Sequence, residues 1–275
     1  MAQEERPALT QIWIAALTAL FAWWFATGAI LAVVKRADAG GRRSHVWAVL
    51  LGLPVLVLGI GLFVDTLGRA EPGAVYAAFF SALMIWGWIE MAFLCGVITG
   101  PNRVMTPDGT PEGERFVRAL GAVAHHEILL LAALGLMGWA AAGAINPYGF
   151  WAFGLLFGAR VSAKLNLFYG VPRINLEFLP DALSHLPSHF RVRRWNWLFP
   201  ISVMGLVATV ALLFGALQSA QTPTNVIGFA LLTAIAALAL LEHLLMVIPL
   251  PDAKLWRWML PEPQTTRPHP DRSLD

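Results

Sequence analysis

Long blocks of apolar residues alternate with short polar, proline-containing or glycine-containing breaks along the chain. An α-helix rises about 1.5 Å per residue, so about 20 consecutive apolar residues cross the hydrocarbon core of a bilayer. Blocks of this length occupy residues 11–34, 46–67, 73–99, 116–144, 148–167, 197–217 and 225–248. The pattern therefore predicts an all-α protein, a polytopic membrane helix bundle with about seven transmembrane helices.

The lysine and arginine residues between these blocks predict how the bundle is oriented. They concentrate in the connections 35–45, 100–118 and 168–196 and in the C-terminal tail, whereas the alternate set of connections carries only Arg6 and Arg69. Cytoplasmic connections are the ones enriched in Lys and Arg. We therefore expect the N-terminus outside and the C-terminus in the cytoplasm.

Composition agrees with a membrane protein and excludes an ordinary soluble domain, because 57% of the residues are hydrophobic and only 13% are charged. Residues 1–10 are predicted to form a short N-terminal segment, and residues 11–250 the seven-helix domain. The cytoplasmic part 168–196 mixes apolar, basic and acidic residues, which favours an amphipathic helix at the lipid headgroups. Residues 251–275 are predicted to form a second interfacial helix and a disordered tail. The bilayer is the expected partner, and nucleic acid is not.

Ionisable and polar residues inside four of the apolar blocks are the candidate site. Such groups are costly in a bilayer and usually face a bundle interior or a cavity. Counted from the cytoplasmic ends, they lie at similar depths, about 10–15 Å in. Helices three, four, five and seven are therefore predicted to bring them into one pocket open towards the cytoplasm. The members are Glu90, His125, His126, Glu127, Arg160, Lys164, Asn166, Glu242 and His243.

Three interpretations of this cluster stay open. In the first, the cations pair with the carboxylates and only lock the bundle. In the second, carboxylates and imidazoles bind a metal ion, although the Glu-x-x-His spacing of di-iron bundles is absent. In the third, a neutral imidazole of His125, His126 or His243 is the axial ligand of a magnesium tetrapyrrole, with Gly121 leaving room for the ring.

Three smaller patterns complete the candidate chemistry. Gly154, Gly158 and Ser162 recur every four residues and predict a close helix-packing face. Asp181, His185 and His189 share the same spacing, but Pro187 interrupts their helix and favours solvated or interfacial residues over a metal site. Arg160 and Lys164, one turn apart, would attract carboxylates or a lipid or phosphate head group. No catalytic motif occurs in the sequence.

Several strings of the sequence are similar to one known family. They include WGWIEMAFLCGVITGP (86–101), HHE (125–127), RVSAKLNLFYGVP (160–172), NWLFPISV (196–203) and LEHLLMVIPLPDAKLWRW (241–258). Together they resemble the PuhE family, called photosynthetic complex assembly protein 2, of purple phototrophic bacteria. The resemblance extends from about residue 11 to residue 260.

The resemblance implies an integral protein of the bacterial inner membrane, either cytoplasmic or intracytoplasmic photosynthetic. It implies support for assembly of the reaction centre and core antenna and for bacteriochlorophyll levels. Reaction-centre or core-antenna subunits and bacteriochlorophyll or a precursor are the implied partners. The family supplies no catalytic residues, so we expect a non-catalytic assembly factor. The alternatives are a membrane enzyme acting on a pigment precursor or lipid through buried carboxylates, and a transporter, which the lack of an inverted repeat disfavours.

Overall fold

The computed structural model describes residues 2–174, 176 and 179–248, with side chains placed from residue 9 onwards. The predicted all-α class is confirmed, since the described residues contain no β-strand and only one isolated parallel bridge, between Val171 and Val192. The predicted interfacial helix and tail at 251–275 lie outside the described residues. The helices are α1 (Ala2–Leu51), α2 (Leu53–Thr66), α3 (Pro72–Leu94), α4 (Glu112–Ala140), α5 (Tyr148–Tyr169), α6 (Leu198–Gln218) and α7 (Pro223–Leu245).

Five stretches of the described residues are long and apolar enough to cross a membrane. They are Leu9–Thr66, Pro72–Leu94, Glu112–Ala140, Leu198–Gln218 and Pro223–Leu245. The first has 58 residues and contains two of the seven predicted spans. Helix α5 is not among the five, because Arg160, Lys164 and Asn166 lower its hydropathy. The membrane-helix character of the chain is thus confirmed at five stretches.

The long first stretch is broken where the sequence carries glycine. Gly41 lies inside α1 with φ 71° and ψ −168°, a conformation that glycine adopts without steric cost. Pro54 stands in the first turn of α2, two residues after Gly52. Proline is tolerated in a first helical turn because its missing N–H has no intrahelical partner there. Helix α1 begins at Ala2, inside the segment 1–10 that the hydropathy pattern places before the first span.

Helices α3 and α7 form the interior of the bundle, and α6 lies at its edge. The main apolar core includes Phe79, Ile89, Leu130, Phe153 and Leu231, all almost inaccessible to solvent. The most apolar 18 residues of α6 include no buried residue. This helix packs mainly on α7 and more lightly on α5. The outer face of α6 is therefore available to lipid.

The prediction that Gly154 and Gly158 form a close packing face of α5 is wrong, because neither glycine approaches another backbone. A Cβ atom added at Gly158 meets nothing within 4 Å, and one added at Gly154 meets only Leu134, at 3.7 Å. The close approach is at Gly149, where a Cβ would lie 2.8 Å from the Ala78 carbonyl oxygen. Four-residue spacing therefore identified a face of α5 but not the face that contacts another backbone.

The connection from α3 to α4 inserts its backbone against the middle of α4. The amide of His126 donates to the Thr99 carbonyl at 3.0 Å, and the amide of Asn102 donates to the Gly121 carbonyl at 3.1 Å. Between them, a Cβ at Gly100 would lie 2.1 Å from the Gly121 oxygen, so only glycine fits. This contact fixes the position of His126 relative to the end of α3.

The segment 171–196, predicted to lie on the cytoplasmic side, is not an amphipathic α-helix in its described part. It forms two short 3-10 helices, Asp181–Leu183 and Leu186–His189. Leu183 and Leu186 are buried in a small core with Phe93 and Ala122. The segment therefore packs under α3 and α4 as a cap, because its prolines break a regular helix and its leucines find an apolar surface of the bundle.

Candidate functional site

A cavity of about 1260 Å³ lies between α1, α3, α4, α5 and α7, and the cap contributes to its wall. Its lining is mostly apolar and includes tryptophan side chains from α1 and α3. Seven ionisable side chains interrupt this apolar surface: Arg173 and His189 from the cap, and five from α3, α4, α5 and α7, which we call the cavity cluster. These five are Glu90, Glu127, Arg160, Lys164 and Glu242. The structure thus brings together side chains from α3, α4, α5 and α7, the four helices that were predicted to share a pocket.

The first ion pair of the cavity cluster joins α5 to α3. The Arg160 Nη2 donates to Glu90 Oε2 at 2.9 Å. The side chain of Arg160 is 39% exposed and that of Glu90 only 8%. The cation therefore faces the cavity, and its carboxylate partner lies behind it between the helices.

The second ion pair joins α5 to α4. The ammonium of Lys164 donates to Glu127 Oε1, and both side chains are about one-fifth exposed. The Lys164 nitrogen also lies 5.2 Å from the centre of the Phe93 ring. Because Arg160 and Lys164 are one turn apart, one face of α5 holds both neighbouring helices through charge.

His126 lies behind the two ion pairs and is not part of the cavity wall. Its Nε2 is 3.5 Å from Glu90 Oε1 and 4.0 Å from Glu127 Oε1, and its side chain is inaccessible to solvent. The imidazole packs on Phe93 with ring centres 4.3 Å apart. It lies close to both carboxylates without a hydrogen bond to either and does not face the cavity.

His243 belongs to a separate hydrogen-bonded group. Its Nδ1 bonds the Ala239 carbonyl at 2.8 Å, so this nitrogen carries the proton and Nε2 accepts from the Ser162 hydroxyl at 2.9 Å. Asn166 donates to the Ser162 carbonyl at 3.0 Å and to the Ser202 hydroxyl at 2.9 Å. These bonds tie α5 to α6 and α7, and they use both nitrogens of His243.

Two predicted members differ from the rest. His125 is exposed on α4 and does not line the cavity. Glu242 lines the cavity but makes no hydrogen bond or ion pair with a described residue. The candidate site therefore has two neutralised carboxylates and a third, Glu242, with open surroundings.

The positions of these side chains bear on the metal-site and tetrapyrrole interpretations of the cluster. Within the described residues, no group of three His, Cys, Asp or Glu side chains is placed to hold a metal ion. None of His125, His126 and His243 lines the cavity, so the axial-ligand interpretation finds no fit at these residues. The features that fit an amphipathic molecule are the apolar wall and the exposed guanidinium of Arg160.

A second buried polar group, absent from the predicted site, lies where the cap meets the bundle. We call it the cap cluster: Arg115, Thr106, His185, Ser188 and His189. The Arg115 guanidinium donates to the His189 carbonyl at 2.7 Å and the Phe168 carbonyl at 2.9 Å. Thr106 bonds His189 Nδ1 at 2.8 Å through its hydroxyl and the Ser188 hydroxyl at 2.9 Å through its amide.

The two histidines of the cap cluster are buried, contrary to the solvated interpretation, and their rings are 6.5 Å apart. Burial lowers the pKa of both His185 and His189, and neighbouring cationic groups add to the effect. Asp181 is exposed, so the three residues do not form a metal face.

Comparison with known proteins identifies the family of the chain. A family model described as "Protein of unknown function (DUF3623)" matches residues 9–267. The chain belongs to the DUF3623 family. A protein of Rhodobacter capsulatus, described as an uncharacterized 30.4 kDa protein in the puhA 5′ region, is 49% identical over 249 residues, which cover 90% of this chain and 91% of the relative. No solved structure matches the chain.

In this DUF3623 protein, some site features have no clear sequence signal. Arg115 is one of several cations in a polar connection, and the positive-inside rule already accounts for it. The contribution of α1 to the cavity, through Trp23 and Trp24 among others, has no sequence signal, because tryptophans in an apolar block are equally typical of a surface that faces lipid. Ser202 carried no signal beyond being a polar residue in an apolar helix.

Proposed function

We propose that this protein is an integral membrane factor that supports assembly of the bacterial photosynthetic apparatus, the reaction centre and its core antenna. Two similarities support the proposal. The Rhodobacter capsulatus relative is named for its position in the puhA 5′ region, and the sequence resembles the PuhE family over about residues 11–260. In this proposal the protein acts in the bacterial inner membrane and contacts photosynthetic subunits through its lipid-facing helices.

The proposal includes seven crossings with the N-terminus outside. The stretch Leu9–Thr66 has 58 residues, about 87 Å of helix, which suffices for two crossings with the break at Gly41 between them. Helix α5 has 22 residues and turns its charges towards the cavity, as a crossing helix with a polar face would. Reporter fusions at residues 40 and 145 test this topology, with a cytoplasmic signal expected at 40 and an external one at 145.

The observation that carries a ligand role is the cavity itself. Its volume exceeds the roughly 300–1000 Å³ of pockets for drug-sized molecules, and its walls are mainly apolar. We propose that it holds bacteriochlorophyll or a precursor and so affects pigment levels during assembly. Such a molecule would be retained by its apolar contacts and by a polar group at Arg160, rather than by the three predicted histidines.

Purification in mild detergent from a phototrophically grown host tests this function. We expect a pigment absorption band and co-purified reaction-centre or core-antenna subunits. Absence of both, with the protein intact and monodisperse, would contradict the proposal. A matched preparation of an unrelated membrane protein of the same size controls for pigment that merely partitions into the micelle.

A second candidate function is an enzyme acting on a pigment precursor or lipid, and one observation favours it. Glu242 is a carboxylate that lines an apolar cavity without a described partner, as a general acid or base would. If this is correct, Glu242→Gln should abolish the pigment phenotype while membrane abundance stays unchanged. Equal losses of abundance and phenotype would instead indicate a structural role.

A further inference from the structure

We infer that the cavity binds an anionic amphiphile, a molecule with a carboxylate or phosphate head group and a long apolar body, with the head group against the guanidinium of Arg160. The inference rests on the proposed function for its biological setting and names the ligand class of the same cavity. It does not require that the ligand be a pigment.

The arrangement of the Arg160–Glu90 pair carries the inference. A guanidinium has five N–H donors, and Arg160 uses one of them on Glu90, with no other hydrogen bond to a described residue. Arg160 is 39% exposed on the cavity side, whereas Glu90 is nearly buried behind it. The wall therefore presents N–H donors with their positive charge, the arrangement that binds carboxylate and phosphate oxygens.

The depth of Arg160 agrees with a head group at this point. It lies nine residues before the end of α5 at Tyr169, about 14 Å along the helix. An anionic head group at that depth needs a cationic partner, since an isolated charge in the bilayer is costly. Apolar side chains of the cavity wall lie on both sides of Arg160 along α5, including Leu155, Leu156, Leu165 and Leu167.

The other ionisable groups of the cavity cluster determine how the affinity for an anionic head group should change in variants. Lys164 donates to Glu127, and each of these side chains is about one-fifth exposed, so this pair presents neither charge preferentially. Glu242, on α7, contributes a carboxylate to the same cavity and would repel an anion. Neutralising Glu242 should therefore strengthen binding, whereas a role of Glu242 as the head-group anchor would require the opposite.

Three tryptophans in the cavity wall, Trp23, Trp24 and Trp86, provide a direct readout. We would titrate the full chain in neutral detergent with dibromostearic acid, its methyl ester and brominated phosphatidic acid, and follow tryptophan quenching. The acid should quench saturably and bind about tenfold or more tightly than the ester, the effect of a charge-assisted hydrogen bond. Trp86→Phe should reduce the saturable part of the quenching.

Variants assign the effect to Arg160. The double variant Glu90→Gln/Arg160→Met removes both charges of the pair, so it avoids leaving one of them unpaired, and it should abolish the preference for acid over ester. Arg160→Lys should retain the preference in part. Glu242→Gln should lower the Kd for the acid, and Arg118→Met, a cation outside the cavity, should leave it unchanged.

Each outcome decides the inference. Preference for stearic acid alone assigns a carboxylate head group, and preference for phosphatidic acid alone assigns a phosphate head group. Equal binding of acid and ester, or a preference that survives in the double variant, overturns it. The proposed function is tested separately: saturable acid binding without co-purified photosynthetic subunits or pigment would keep the ligand class and reject the assembly role.

Discussion

The two buried polar regions of this protein use their cations differently. In the cavity cluster, Arg160 and Lys164 each meet a carboxylate, and the side chains remain partly exposed to a large apolar space. In the cap cluster, Arg115 is buried and donates to two main-chain carbonyls, and its carbon Cζ lies 3.8 Å from the centre of the Phe168 ring. The surroundings of the two cations are correspondingly different, since Arg160 faces the cavity and Arg115 is enclosed by main-chain carbonyls and the Phe168 ring.

This difference indicates that the cation of the cavity cluster binds a ligand, whereas the cation of the cap cluster stabilises the fold. A cation that satisfies carbonyls of the cap and of α5 holds the chain in place and has little capacity left for a ligand. A cation that keeps free donors on a cavity wall contributes less to folding and more to binding. Variants of the cap cluster should therefore change stability, and variants of the cavity cluster should change ligand selection at a smaller cost in stability.

The largest effect is expected for Arg115→Met. Methionine fills part of the volume but leaves the carbonyls of Phe168 and His189 without their donors. Two charge-assisted hydrogen bonds are lost, so the free energy of unfolding should fall by about 3–5 kcal/mol. Thermal unfolding in detergent, followed by circular dichroism, measures the loss.

Arg118→Met is the matched control, because Arg118 makes an exposed ion pair with Glu114 on the same helix. Such a pair contributes about 0–1 kcal/mol. Similar losses for Arg115→Met and Arg118→Met would show that the cap does not depend on the buried guanidinium.

A slightly smaller loss is expected for Gly100→Ala, at the connection that fixes His126 between the two regions. The new Cβ would lie 2.1 Å from the Gly121 oxygen and 2.7 Å from the Ala122 carbonyl carbon, both backbone atoms. The connection must move away from α4, at a cost of about 2–3 kcal/mol. Gly158→Ala, where a Cβ meets nothing within 4 Å, should be neutral or slightly stabilising in the same unfolding assay. Equal stability of the two variants would exclude the inserted backbone contact.

Some parts of these two regions are predictable from the sequence, and others are not, for physical reasons. Charges inside apolar blocks have a depth that follows from helix rise alone, and so the meeting of Glu90 and Arg160 was foreseeable. The role of Arg115 was not, because it depends on where the cap places the His189 carbonyl. Chain paths between helices leave little periodic signal in a single sequence.

The same distinction explains the remaining differences in the fold. The spans and the break at Gly41 follow from hydropathy and glycine chemistry. Which face of α5 approaches another backbone does not, because Gly149 and Gly158 look equivalent until their neighbours are known. The count of seven crossings likewise stays a prediction that topology mapping can test.

In the cavity cluster, Glu90→Gln should cost less stability than the cap variant. It leaves Arg160 without its carboxylate, but the guanidinium is partly exposed, so we expect a loss of about 1–2 kcal/mol. The double variant Glu90→Gln/Arg160→Met should recover most of this loss, because no unpaired charge remains. Unfolding of both variants is measured under identical detergent conditions. A double variant less stable than the single one would mean that Arg160 supports the fold independently of Glu90.

The smallest effect is a pH dependence confined to the cap cluster. Burial lowers the pKa of His185 and His189 below the ordinary value of 6.5, so the unfolded chain binds protons that the folded cap does not. The stability of the cap is therefore complete above about pH 6.5 and falls as the pH drops through the lowered pKa values. Proteolysis or hydrogen exchange of residues 179–190 at about pH 7.5 and 5.5 measures this change.

Replacing His189 by Gln should flatten that pH dependence, since glutamine retains hydrogen-bonding capacity towards Thr106 but binds no proton. His125→Gln, at an exposed position on α4, should leave the dependence as it is in the wild type. If acid instead weakened the helices that surround the cavity while the cap stayed protected, the proton-sensitive group would belong to the cavity cluster. The distinction between a cap that maintains the fold and a cavity that selects a ligand would then have to be reversed.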